Sequence, residues 1–106
     1  MPDIKVNASK WNGLTEAHRA RAIEVARKNG WIGEHDNLIP DENVPVPHWD
    51  RPGVSEKERA GNQGCYDACD NYGDVVYIAC ESHDTPENCA DLVWDAVEQC
   101  IYENCT

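Results

Sequence analysis

Six cysteines, Cys65, Cys69, Cys80, Cys89, Cys100 and Cys105, fall within the last forty-two positions of a 106-residue chain, and the first sixty-four positions hold none. An even count confined to one segment favours a disulfide framework and an oxidising compartment. Spacing narrows the fifteen possible pairings. Cys69 to Cys80 and Cys89 to Cys100 are each eleven positions apart, and eleven steps of ~100° return to within ~20° of the same helix face. Folding the chain back at the midpoint of CESHDTPENC, residues 80–89, pairs Cys80–Cys89, Cys69–Cys100 and Cys65–Cys105, with position numbers summing to 169, 169 and 170. Two antiparallel helices ~8 to 10 Å apart, with Cα radii of ~2.3 Å, bring facing Cα atoms within roughly 3.5 to 5.5 Å, which overlaps the disulfide range. The outermost pair fits least well, because the five steps from Cys100 to Cys105 rotate by ~140°. The second helix is therefore expected to fray or unwind at its end.

The other residues of this segment suit a stapled hairpin. Thr85 is placed to cap the second helix, Pro86 suits its first position, and Glu87 is favourable near the positive helix end. Cys89, Leu92, Val93, Ala96 and Cys100 form the stripe facing the partner helix, and Trp94, Val97 and Ile101 form a second stripe. On the first arm Cys65, Cys69, Tyr72, Val76 and Cys80 face inward, flanked by Val75 and Ala79, which leave a surface for another helix. Ser82, His83 and Asp84 then occupy the turn, and three adjacent residues are poor geometry for a catalytic triad. The absence of a C-x2-C knuckle, together with the eleven-residue steps, suits helix stapling rather than a zinc site.

Residues 14–30, LTEAHRARAIEVARKNG, read as a basic helix with Thr15 as cap, Ala22, Ile23, Val25 and Ala26 as its apolar side and Asn29-Gly30 as its stop. Residues 31–54 contain Pro40, Pro45, Pro47 and Pro52 among Val44, Val46 and Trp49 and read as an extended strap over the core. Ser55 with Glu58 matches a capping box, so a helical turn is expected near Glu56, before Gly61 and Gly64. The expected architecture is all-α in one small domain, 1–106. A basic helix (14–30) and a proline-rich strap (31–54) pack on an acidic, disulfide-laddered helical hairpin (55–106).

Charge is divided along the chain. All nine Lys and Arg lie at or before Arg59, whereas residues 60–106 hold ten acids and no base. That polarity disfavours nucleic acid and anionic membrane as partners. Neither a membrane-spanning apolar run nor, within residues 1–30, a signal-peptide core is present. Asp67, Asp70 and Asp74 on one arm, and Asp91, Asp95 and Glu98 on the other, fall at helical spacing as two acidic ridges. Like charges at such spacing destabilise a helix, so something must offset them: the basic helix with Arg19, Arg21, Arg27 and Lys28, a cation, or a basic protein partner. His35-Asp36, His48 with Asp50, and His83-Asp84 are the remaining candidate metal or catalytic groups, but they lack HExxH-type spacing. Asn7-Ala8-Ser9 and Asn104-Cys105-Thr106 match the glycosylation sequon.

Paired cysteines on two antiparallel helices, Cys65 to Cys105, resemble the coiled-coil-helix-coiled-coil-helix families of the mitochondrial intermembrane space. They also resemble the disulfide-stapled α-hairpins of small defence peptides and secreted toxins. Trp11-Asn12-Gly13 and Trp31-Ile32-Gly33 are similar to the W-x-G turn of small secreted helical-hairpin proteins. These likenesses imply a scaffold and an oxidising compartment, with no active site to transfer. The expected function is a secreted or otherwise extracytoplasmic, non-enzymatic interaction protein of effector, toxin or inhibitor type. It binds a basic protein surface through Asp67, Asp70, Asp74, Asp91, Asp95 and Glu98, without a cofactor or metal. The alternatives are a small metal-binding protein or enzyme using His35, His48 or His83, and an intermembrane-space assembly factor.

Overall fold

A computed structural model describes residues 3–49 and 63–105. In chain order these form β1 (Ile4–Asn7), α1 (Ala8–Asn12), α2 (Glu16–Lys28), β2 (Leu38–Asp41), α3 (Gln63–Glu81) and α4 (Pro86–Asn104). The helices α3 and α4 are the arms of the expected hairpin. Three disulfides close it as Cys65–Cys105, Cys69–Cys100 and Cys80–Cys89, with Cα–Cα distances of 5.7, 5.8 and 5.7 Å. No cysteine is free, as an oxidising compartment would give.

The turn between the arms is built from the residues that bring polar chemistry to CESHDTPENC. The backbone N–H groups of His83 and Asp84 both donate to the carbonyl of Cys80 at 2.9 Å, and Ser82 Oγ donates to the Ala79 carbonyl at 2.7 Å. Thr85 is the N-cap of α4, its hydroxyl accepting from the Asn88 N–H at 3.3 Å, and Pro86 follows in the first turn. At the far end the departure from helical geometry is confined to Cys105, whose φ is −113° while its N–H still reaches the Ile101 carbonyl at 2.7 Å. The expected fraying of the helix end is not seen: α4 stays helical to Asn104, and Cys105 is its C-cap.

The arm α3 is the central element, with every residue from Tyr72 to Cys80 buried except the half-buried Ile78. One side packs on α4, and α1, α2 and β1 cover another. Close approach of α4 depends on Gly73, where a Cβ would fall 2.5 Å from Val97 Cγ2 and 2.9 Å from the Trp49 ring. Buried Ala22 and Ala26 lie on α2, which contacts α3, and small side chains suit close packing there. The α2 stop is as expected, Gly30 having a φ of +75°, the left-handed region that glycine enters without a Cβ clash.

The all-α expectation is corrected by β1 and β2, which pair in parallel with Ile4 opposite Leu38 and Asn7 opposite Asp41. Parallel strands need a long crossover, and α1 with α2 provides it. Among the described residues the sheet has only these two strands, and a proline such as Pro40 is tolerated on an edge strand. Asn7 ends β1 and caps α1 by accepting from the Lys10 N–H at 3.0 Å, while its amide donates to the Val44 carbonyl at 2.7 Å. With only 8% of its surface exposed, Asn7 is not presented to a glycosylating enzyme in the folded chain. The capping box Ser55/Glu58, Gly61, and the Asp50 and Thr106 partners of His48 and the second sequon lie outside the described residues, as does the strap from 50 to 54.

Candidate functional site

The two acidic ridges have different fates. On α3, Asp67 is exposed and accepts from Gln63 Nε2 at 2.8 Å, and Asp70 is half-buried. Asp74 has no exposed surface at all, so it is removed from the proposed partner-binding set. Its Oδ1 accepts from the Trp49 indole N–H at 2.9 Å and its Oδ2 faces Lys10 Nζ at 3.4 Å. Helical spacing correctly aligned Asp74 with its neighbours, but the strap brings Trp49 over that turn, stacked on Tyr77 at 5.9 Å. A buried carboxylate needs compensation, and Lys10, a residue with no distinguishing motif, supplies it.

On α4 the ridge stays at the surface. Asp91, Asp95 and Glu98 are exposed, with Glu87 one turn before and Tyr102, 76% exposed, one turn after. The half-buried Trp94 lies beside them and its indole N–H donates to Glu98. Among the described residues no ion pair reaches Asp91, Asp95 or Glu98. Two of the α2 bases are turned to other tasks. Arg19 donates to the Trp11 carbonyl at 3.2 Å and lies over that indole, and Arg27 donates to the Asp36 carbonyl at 3.0 Å.

Arg21 lines a second feature, a cleft of about 120 Å3 between α2 and the hairpin, with His18, Tyr72, Gln99, Cys100 and Glu103. His18 sits 5.7 Å from the Tyr72 ring, and its Nε2 is 3.7 Å from Cys100 Sγ. Its Nδ1 is buried without a hydrogen-bond partner among the described residues. Burial raises the Tyr72 phenol above its ordinary pKa, and the adjacent Arg21 guanidinium partly opposes that shift. His18 was not a candidate from sequence, because nothing in the 14–30 helix pattern distinguishes a histidine packed on a disulfide from one in solvent.

His35, His48 and His83 are all exposed. Asp36, beside His35, accepts from the Gly33 N–H at 2.9 Å and so shapes a turn. Asp84 accepts from the Thr85 N–H at 2.7 Å and Asn88 Nδ2 at 2.9 Å, two bonds that hold its carboxyl below the usual range. Among the described residues, one group of metal-type donors converges: Cys65, Cys69 and Cys105, their sulfurs within 4.8 Å of one another. All three are in disulfides.

No family model matches this chain, and neither a curated protein nor a solved structure matches it.

Proposed function

We propose that this chain is a secreted or otherwise extracytoplasmic interaction protein of effector, toxin or inhibitor type, and that it binds a basic protein surface through the outer side of α4. The observation that supports the reading is the uncompensated row Asp91, Asp95 and Glu98, extended by Trp94 and Tyr102 on a helix that packs chiefly on its hairpin partner. Charge would speed encounter more than it sets final affinity, while exposed aromatic area is the type of surface enriched at interface cores. Asp67 and Asp70 extend the negative field. The non-enzymatic reading is supported by the turn itself, where Ser82 and Asp84 are engaged in hydrogen bonds that shape the hairpin. Three disulfides suit the oxidising compartment it requires.

The test replaces Asp91, Asp95 and Glu98 together by Asn, Asn and Gln. Thermal stability should hold or rise, since like charges are removed. Association with a basic partner captured by the native protein should slow and lose much of its salt dependence. A large loss of stability would instead mark these acids as internal counter-charges, and an association rate indifferent to both substitution and salt would refute the acidic interface.

A further inference from the structure

At the open end of the hairpin two disulfides lie in contact, and their arrangement carries chemistry beyond stapling. Cys69 Sγ, bonded to Cys100, is 4.0 Å from Cys105 Sγ, which is bonded to Cys65. A near-attack separation is about 3 to 3.5 Å, so a displacement of roughly half an ångström to one ångström would bring a freed Cys105 sulfur onto Cys69. Access is graded in the same order. Cys65 is half-buried, whereas Cys69, Cys100 and Cys105 are buried. The third staple, Cys80–Cys89, is at the opposite end of the arms and does not join this group.

We propose that the open end of the hairpin is a thiol–disulfide exchange centre, in which an external thiol opens Cys65–Cys105 and the released Cys105 takes Cys69 from Cys100. The co-reactant is a small or peptidic thiol. Its thiolate attacks Cys65 Sγ, forming a mixed disulfide and breaking the Cys65–Cys105 bond, so that Cys105 leaves as thiolate. Cys105 then attacks Cys69 Sγ, forming Cys69–Cys105 and releasing Cys100 as thiolate, which takes a proton from water. A second external thiolate attacks the sulfur that the first external thiol contributed to the mixed disulfide, releasing Cys65 as thiolate and a disulfide of the two external thiols. Two external thiols are oxidised and one protein disulfide is reduced, leaving Cys65 and Cys100 as thiols.

The surroundings of Cys100 favour its departure. A thiolate is a better leaving group when a hydrogen bond or a nearby cation stabilises it. His18 Nε2 stands 3.7 Å from its sulfur. The cleft beside it is lined by Arg21 from α2, Tyr72 from α3 and Glu103 from α4, and opens a route for water. The consequence is a hairpin whose outer staples can be re-paired by a thiol partner while Cys80–Cys89 keeps the arms together.

Cys65→Ser tests the central step, because it leaves Cys105 as the one thiol next to an intact Cys69–Cys100. The protein is labelled with N-ethylmaleimide under native conditions, quenched in acid and mapped after pepsin digestion. Label should appear on both Cys105 and Cys100, with Cys69 linked to the other of the two. Label on Cys105 alone, with Cys69 linked only to Cys100, would overturn the proposal. His18→Gln in the same background should slow the appearance of label on Cys100 by at least about tenfold; an unchanged rate overturns the part assigned to His18. If circular dichroism shows that Cys65→Ser has lost its helices, partial reduction of the native protein decides. With a substoichiometric dithiol and acid quench, the two-disulfide species should contain Cys69–Cys105 and Cys80–Cys89. A product with Cys69–Cys100 and free Cys65 and Cys105 as its sole form would overturn it.

Discussion

The hairpin of residues 63–105 and the layer of residues 3–49 reach order by different means. Within the hairpin, three covalent links hold two helices of 19 residues each. The layer contains no cysteine and is held to α3 by apolar burial of Val6, Trp11, Leu14, Trp31 and Ile32 and by a few polar ties, chiefly Asp74 with Lys10 and Trp49. Disulfides act largely by restricting the unfolded chain, whereas burial and hydrogen bonds act in the folded one. The difference teaches that the hairpin should be insensitive to single side-chain changes and sensitive to reductant, and the layer the reverse.

Full reduction is the largest expected effect. Loops closed by 40, 31 and 9 residues of separation correspond, taken singly, to about 3.9, 3.7 and 2.6 kcal/mol on the loop-entropy model, with nested loops not additive. Melting followed by circular dichroism should show a sharp fall in midpoint on reduction, and removal of Cys69–Cys100 should cost more than removal of Cys80–Cys89. Coincident melts of oxidised and reduced protein would abolish the distinction between the regions.

Next is the tie between them. Lys10→Met removes the cation that faces the fully buried Asp74 carboxylate while the Trp49 indole N–H stays in place, and breaking a buried pair costs about 3 to 5 kcal/mol. Lys10 itself is 27% exposed, so Asp74→Ala, which lets the ammonium turn to water, should cost less than Lys10→Met. In both variants Trp fluorescence should report loss of the 3–49 layer before disulfide mapping shows any change. Equal costs for the two would mean that desolvation of Asp74 is not the governing term.

How much of this was legible in the sequence follows the same division. The hairpin could be read because covalent pairing is encoded by position alone: eleven-residue steps and a reflected turn leave few solutions. The N-terminal layer was legible only where its signals are local, as in Thr15 and Gly30 at the ends of α2. The β1–β2 pair was missed because four residues such as Ile4–Asn7 gain strand geometry only by finding Leu38–Asp41 across a helical crossover. Asp74 was placed on a solvent ridge for a related reason. Its spacing identifies a helix face, while its burial depends on Trp49, twenty-five positions away, arriving from the strap. His18 likewise acquires its setting from Cys100, eighty-two positions away.

Gly73→Ala probes the junction at which strap, α3 and α4 meet, and ranks third. Its new methyl would fall 2.5 Å from Val97 Cγ2 and 2.9 Å from Trp49, so one of them must move. Overpacking of this kind costs about 1 to 3 kcal/mol. With the arms locked by disulfides, Trp49 and the strap should yield rather than α4, measured as a change in Trp fluorescence and a lower denaturation midpoint with all three disulfides intact. A displaced α4 with an undisturbed Trp49 would show that the staples leave more freedom than the layer does.

The smallest effect lies in the turn, where the stapled region depends on an exposed non-covalent device. Asp84 has its pKa lowered from 3.8 by the Asn88 amide and the Thr85 N–H. A carboxyl whose folded pKa lies below its unfolded value contributes stability above the unfolded value and loses it as pH falls through the folded one. Comparing native protein with Asp84→Asn isolates this group from the many acids that titrate nearby, since Asn keeps the acceptor oxygen and loses the charge. The difference in melting temperature should be small at neutral pH and should shrink below about pH 3.8. Repeating the comparison with both Cys80 and Cys89 changed to Ser sharpens the contrast: without the adjacent staple the turn rests on its hydrogen bonds, those of Asp84, Thr85 and Asn88 among them, so the difference at neutral pH should grow. Should it be the same in both backgrounds, the inner disulfide and the capping residues act independently, and the hairpin is less dominated by its covalent links than its sequence implies.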